Sequence, residues 1–217
     1  VTRLLAALGL VLALGLAGCG GGADDEAPDA AGSATCKTAD VPAPREDGGA
    51  TKPTEALDPD VTYRLTFATN CGDFTITLDQ KTAPQASASL VALAQAEFYD
   101  DTVIHRIVPD FVIQGGDPTA SGGGGPGYQT VDPPPADAAY TKGVVAMAKA
   151  ATDPPGAAGS QFFVVTGDDI GLPAEYAIVG KVTAGQEVVD AIGLLGDPAT
   201  EEPTEPVVVS SVTVSES

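Results

Sequence analysis

Positive charge is scarce in this sequence. Ten lysines and arginines stand against thirty acidic residues, a formal net charge of −20. A nucleic-acid partner needs a basic face to meet its phosphates, so that class is excluded, and a polybasic membrane patch is excluded with it. The charge describes a solvated, soluble surface, with acids in small clusters such as Asp24-Asp25-Glu26 and Glu201-Glu202. Tryptophan is absent, aromatic residues make up 5%, and His105 is the only histidine. No cysteine or histidine spacing resembles a metal site, and neither metal nor cofactor is expected. Long apolar runs are also missing. Leu4 to Leu16 spans 13 residues, within the range of a signal peptide and too short to cross a bilayer comfortably. The 43% of residues that are hydrophobic still suffice for a core, and 217 residues allow one domain with some extra.

The N-terminal run follows Arg3, and Val1 reads as a start codon translated as valine. Leu16-Ala17-Gly18-Cys19 resembles a bacterial lipobox. That resemblance implies a signal peptide over residues 1–18, lipidation of Cys19, and anchoring to the outer face of the bacterial cytoplasmic membrane. A plain secretory signal or a membrane anchor is the alternative. Cys36 and Cys71 remain. Export puts them where disulfides persist, and the even count suits a Cys36–Cys71 bond; two free thiols are the alternative. Residues 20–60 are rich in Gly, Ala, Asp, Pro and Thr and lack apolar periodicity. They read as a disordered tether from Cys19, with an r.m.s. reach of roughly 35 Å, carrying a domain over 61–217.

From Val61 the texture changes. VTYRLTFAT and DFTITLD alternate around Asn70-Cys71-Gly72, a hairpin signal. Lys81-Thr82-Ala83-Pro84 opens a helix with Pro near its first turn, and Ala86, Leu90 and Leu93 share a face. VIHRIV, FVIQG, GVVAMA, QFFVVT and AIVGKV read as short strands. A second helix follows Gly185, with Val188, Ile192 and Leu195 at helical spacing, and PVVVSSVTV closes the chain as a strand. Eight short strands with Gly and Pro turns and two helices suggest a closed β-barrel or a sandwich. Two loops, Pro118 to Tyr140 and Ala150 to Gly159, are long enough to be functional or mobile.

The stretch IHRIVPDFVIQGGD, Ile104 to Asp117, places charged and amide groups in an apolar run, where burial costs them free energy. Strict alternation puts Arg106 on one face with Ile104 and Val108, and His105 on the other with Val103 and Ile107. Past the turn at Pro109-Asp110, Val112 and Gln114 share a face. Arg106 and Gln114 then project beside apolar side chains, where both can donate to a carbonyl and neither is a good base. Such a site suits a peptide backbone carrying an apolar ring. Alone, Arg106 would more simply pair with a surface acid, His105 would be a packed histidine, and Ser121 to Tyr128 (SGGGGPGY) a flexible turn rather than a phosphate loop, since it lacks the Gly-Lys-Ser/Thr ending.

Phe98-Tyr99-Asp100, His105-Arg106 and Phe111 to Asp117 (FVIQGGD) resemble the signature of cyclophilins, a family of peptidyl-prolyl cis-trans isomerases. Gly143 to Ala148, Gly159 to Phe163, Ala177 to Val182 and Gln186 to Ile192 resemble later blocks of that family in the right order, so the resemblance spans about 61–215. It implies an eight-stranded antiparallel closed β-barrel capped by two α-helices, and a cofactor-free isomerase that acts, as a monomer, on proline-containing segments of exported proteins. Carried over residue by residue, Arg106 resembles the catalytic arginine. Phe111, Val112, Phe163 and Leu172 resemble the proline-ring pocket, and Gln114 and Gln161 polar substrate contacts. Ala148 and Lys149 occupy a segment whose backbone meets the peptide, and Tyr176 takes a rim position often filled by His. His105 matches a mostly structural family histidine.

Departures bear on that reading. Val112 replaces a commoner methionine and Lys149 the usual asparagine; the latter matters less if only backbone is used. Ala151 to Ala158 is longer than the typical loop, and Ile170-Gly171-Leu172 lacks the tryptophan of cyclosporin-sensitive members, which implies weak binding of that drug. A low-turnover binding or chaperone module for proline-containing segments is the competing functional class.

Overall fold

The structure, a computed structural model, describes residues 35–217. The signal-like run 1–18, Cys19 and the first part of the expected tether lie outside the described residues. Strand β1 (Tyr63–Thr69) turns at Asn70-Cys71 into β2 (Gly72–Leu78), with Thr69 paired to Gly72. Helix α1 (Pro84–Gln95) follows, with Pro at its start as the sequence predicts. Then come β3 (Thr102–Val103), β4 (Arg106–Val108), β5 (Val112–Gly115), β6 (Thr130–Val131), β7 (Val144–Met147), β8 (Ala157–Ala158), β9 (Phe162–Val165), β10 (Ile178–Ala184), α2 (Gln186–Gly193) and β11 (Val208–Glu216).

Nine strands form one antiparallel sheet in the order β3-β11-β1-β2-β10-β7-β9-β5-β4, while β6 and β8 pair separately. The sheet's two outer strands, β3 and β4, are consecutive in the chain and separated only by Ile104 and His105. The sheet must therefore curl until its edges nearly meet. The backbone shows the crossing: Ile104 N–H donates to Val207 C=O at 3.0 Å on one edge, and His105 N–H to Gln114 C=O at 3.1 Å on the other. Taken as one interrupted stave, β3 and β4 correspond to the single VIHRIV strand, and the staves are then the eight the sequence suggested.

That interruption corrects one detail. Ile104 and Ile107 both point into the core, at 1% and 0% exposure, so Arg106 does not share a face with Ile104. Strict alternation fails because the chain changes partner strands at 104–105. It holds through β4 and β5, and register shifts break it again in β10 and β11, where Val179 and Val182, and Val209 and Val212, all lie in the core.

The barrel interior is filled by Leu65, Phe67, Phe74, Ile76, Ile107, Ile113, Phe162 and their neighbours. Phe67 stacks on Phe74 at 4.9 Å and lies 5.0 Å from Phe162. Helix α1 is buried over most of its circumference. It has no side-chain cap of its own and no acid in its first turn. Asp132, just after β6, supplies both: its Oδ2 accepts from Ala86 N–H at 2.7 Å, so a carboxylate meets one of the orphan donors and the positive end of the helix dipole.

Residues 35–60 correct the expectation of a disordered tether. They form no helix or strand, yet they lie against the domain. Cys36 is disulfide-bonded to Cys71 in the β1–β2 turn. Lys37, Arg45, Gly48 and Ala50 donate backbone hydrogen bonds to Asn70, Pro118, Gly125 and Pro126. The Arg45 guanidinium bonds Glu97 and Phe98 carbonyls and sits 5.9 Å from the Phe98 ring centre, and Ala50 and Leu57 pack on the core. The segment is held at both ends, by the disulfide and by β1. Among the described residues no helix is long and apolar enough to cross a membrane.

Candidate active site

The site lies on the outer face of the sheet. Register brings Arg106 opposite Gln114, Gln114 opposite Phe163, and Phe163 opposite Ala146, a row across β4, β5, β9 and β7. One step along, Val108 faces Val112 and Val112 faces Val165. Because side chains alternate, Ile107, Ile113, Phe162 and Val164 go to the barrel core, while Val112, Phe163 and Val165 form a second, external cluster with Tyr140 and Ala146. The paired phenylalanines thus divide, Phe162 to the core and Phe163 to the external cluster.

This external cluster floors a hollow of about 290 Å³ lined by Arg106, Phe111, Val112, Gln114, Ala148, Lys149, Phe163, Leu172 and Tyr176. Of the expected site residues only Gln161 stands outside it. Gln161 lines a larger neighbouring hollow, about 670 Å³, which shares Gln114, Ala148 and Lys149 with the first. Tyr140 fixes the aromatic wall: its hydroxyl donates to Tyr176 C=O at 2.8 Å and accepts from Tyr176 N–H at 3.0 Å. The Tyr176 ring meets Phe163 edge-on at 5.5 Å.

The polar edge is a chain of hydrogen bonds. Arg106 Nε donates to Glu201 Oε2 at 2.7 Å and Nη1 to Gln114 Oε1 at 3.2 Å. Gln114 Nε2 donates to Gln161 Oε1 at 3.0 Å, and Gln161 Nε2 to the carbonyls of Gly122 and Gly124 at 3.0 and 2.9 Å. Beneath that glycine loop the buried Asp117 carboxylate accepts from Thr119, Ser121, Gly122 and Gly124 N–H groups. Burial pushes its pKa up, but the hydrogen bonds from Thr119, Gly124 and Gly122 outweigh this and hold it below the usual value. The stretch SGGGGPGY, read as a flexible turn, is thus an ordered cage around a carboxylate.

Arg106 does pair with an acid, and it also faces the hollow. The Arg106 side chain is a third exposed and that of Glu201 about half, at 33% and 47%, so the pair contributes on the order of 0–1 kcal/mol to stability. Its consequence is directional: Nε is held by Glu201 and Nη1 by Gln114, and the side chain so fixed lines the hollow. Lys149 also departs from expectation. Its side chain is only 3% exposed, 3.2 Å from Glu175 and 5.5 Å from the Tyr176 ring centre, and Nζ donates to Asp153 C=O at 3.2 Å. It pins the long 150–158 loop to the aromatic wall. Ala148 N–H donates to Gln161 C=O at 2.9 Å. His105 is packed, as read: neither ring nitrogen has a hydrogen-bond partner among the described residues, and burial lowers its pKa, opposed by Asp117 and aided by Arg106. No group of three or more His, Cys, Asp or Glu among the described residues is placed to hold a metal ion.

Residues 64–214 match the family model described as cyclophilin type peptidyl-prolyl cis-trans isomerase/CLD. The chain belongs to the cyclophilins. It is similar to the probable peptidyl-prolyl cis-trans isomerase A of Mycobacterium leprae, 39% identical over 168 residues, covering 69% of this chain and 91% of the relative. It is also similar to peptidyl-prolyl cis-trans isomerase B of Streptomyces anulatus, 38% identical over 168 residues, covering 69% and 94%. A crystal structure of a cyclophilin type isomerase from Cryptosporidium parvum matches with a TM-score of 0.65 and 28% identity over 71% of this chain and 98% of that one. A second structure of that protein, in the presence of the dipeptide Ala-Pro, matches with a TM-score of 0.64 and 29% identity over 70% and 98%. The chain is therefore a cyclophilin-type isomerase, with a mainly β, curled antiparallel sheet and two helices. Two parts of this cyclophilin's site were not visible as such in the sequence. Glu201 is marked in the sequence only as half of an acidic pair 95 positions from Arg106, and at Lys149 the sequence points to the backbone rather than the side chain.

Proposed function

We propose that this cyclophilin isomerises X-Pro bonds by electrostatic stabilisation of the twisted amide, with the proline ring in the smaller hollow. The observation that carries the reading is the Arg106 guanidinium, held by Glu201 and Gln114 at the edge of a floor made by Phe111, Val112, Phe163 and Leu172. Rotation about a peptide bond is opposed by ~18–20 kcal/mol of resonance-derived barrier, and uncatalysed X-Pro exchange takes roughly tens to hundreds of seconds. No bond to a heavy atom breaks, so the chemistry asks for no nucleophile. What is needed is tighter binding of the twisted form than of either planar form. On twisting, the proline nitrogen regains a basic lone pair, and a donor aimed at it or at the carbonyl stabilises that state. Acceleration by ~10⁵ requires about 7 kcal/mol. An oriented guanidinium, Gln114, backbone contacts along Ala148 and Lys149, and a fitted ring pocket are the groups available to supply it.

In this reading Glu201 orients the guanidinium before substrate arrives. Glu201→Ala lowers kcat about three- to ten-fold with little change in peptide affinity, and Glu201→Gln, which keeps an acceptor oxygen, retains most activity. Equal kcat in parent and Glu201→Ala would remove Glu201 from the mechanism. We further infer that the clients are exported proteins met at the outer face of the cytoplasmic membrane, through lipid on Cys19. The lipobox-like Leu16-Ala17-Gly18-Cys19 and the disulfide support that reading.

A further inference from the structure

The segment ahead of the family domain is built into the groove. Residues 45–52 run along the glycine loop 122–127, which forms one side of the larger hollow, and Asp47 itself lines that hollow. Three kinds of contact hold it there. Gly48 and Ala50 N–H groups donate to Gly125 and Pro126 carbonyls at 2.9 and 3.1 Å. Asp47 Oδ1 accepts from Gly125 N–H at 2.7 Å, and Lys52 Nζ donates to Gln129 C=O at 2.8 Å. The backbones also touch directly: a Cβ on Gly127, whose φ is +87°, would lie 3.1 Å from Gly48 Cα and 3.3 Å from Gly49 N. The loop so braced is the one whose Gly122 and Gly124 carbonyls hold Gln161, and Gln161 holds Gln114.

We propose that this strap is a working wall of the substrate groove, and that Asp47 is a positioning residue that braces the glycine loop against which a longer peptide lies. The inference rests on the smaller hollow being the proline site. A peptide with its proline there must pass the shared border at Gln114, Ala148 and Lys149 to enter the larger hollow. A blocked Ala-Pro dipeptide is too short to use the strap; an octapeptide with a central proline reaches it. The parent protein should therefore prefer the octapeptide.

The test measures kcat and KM of the full chain on both peptides. Asp47→Ala narrows the octapeptide's advantage about three- to ten-fold, the effect of one lost loop-bracing hydrogen bond, through KM rather than kcat. Asp47→Asn keeps an acceptor oxygen and preserves most of the preference. An unchanged ratio, or an equal loss on both peptides as from general destabilisation, overturns the inference alone. A parent inactive on both peptides overturns the proline-site reading and the inference with it.

Discussion

His105 shows how burial without a partner becomes a pH effect. Its folded pKa lies below the usual 6.5, because desolvation disfavours the charged ring. As pH falls, the unfolded chain takes up the proton first. The stability contributed by the neutral ring is thus complete above about pH 6.5 and is lost as pH falls from there towards the depressed folded value. His105→Phe removes this linkage. Thermal melts near pH 7 and near pH 5 are expected to show the variant gaining on the parent at the lower pH; parallel curves would contradict it. Among single residues, those on the strand pattern were legible. Alternation alone put Gln114 on one face with Val112. Glu201, Lys149 and Asp47 were not legible, because their roles depend on contacts with loops, and local periodicity carries no information about which distant loop a side chain will meet.

At the scale of elements, the sequence pattern identified each stave of the barrel and both helices, since each carries its own period and its own turn residues. It missed the break between β3 and β4, because an edge-to-edge crossing at Ile104-His105 looks locally like one continuous strand. It also missed what caps α1. The N-cap position is Ala83, and the acceptor comes from Asp132, 46 residues on from Ala86. Asp132→Ala leaves a buried N–H without its acceptor and is expected to destabilise the domain by about 1–2 kcal/mol, or roughly 2–8 °C in Tm for a domain of this size. Asp132→Asn should lose less. A melting temperature unchanged by Asp132→Ala would show that α1 is capped otherwise.

For the whole molecule, composition misjudged residues 35–60. A stretch rich in Gly, Pro and polar residues has the signature of disorder, but the same composition serves a strap whose bonds are made by its backbone to loops far along the chain. Gly125 and Asp47, for instance, are 78 positions apart. The disulfide closes this strap into a loop of sequence separation 35, which limits its freedom in the unfolded chain and contributes typically about 2–4 kcal/mol. A fragment beginning at Val61 would therefore discard a wall of the groove. The anchoring proposal is tested with the intact gene product in a bacterial host. Most protein should sediment with membranes, and Cys19→Ser should move it to the soluble exported fraction. Equal distribution of parent and variant would contradict lipid anchoring at Cys19.

The central claim is that Arg106 stabilises the twisted amide. Exchange spectroscopy on a proline tetrapeptide reads the cis and trans populations directly, with the full chain and its Arg106→Ala variant side by side. The account predicts rapid exchange with the parent and a loss of about 10²–10³ in the catalysed rate for the variant, with peptide affinity little changed, as for removal of a donor that acts mainly in the transition state. A folded Arg106→Ala protein that exchanges the peptide as fast as the parent would contradict it.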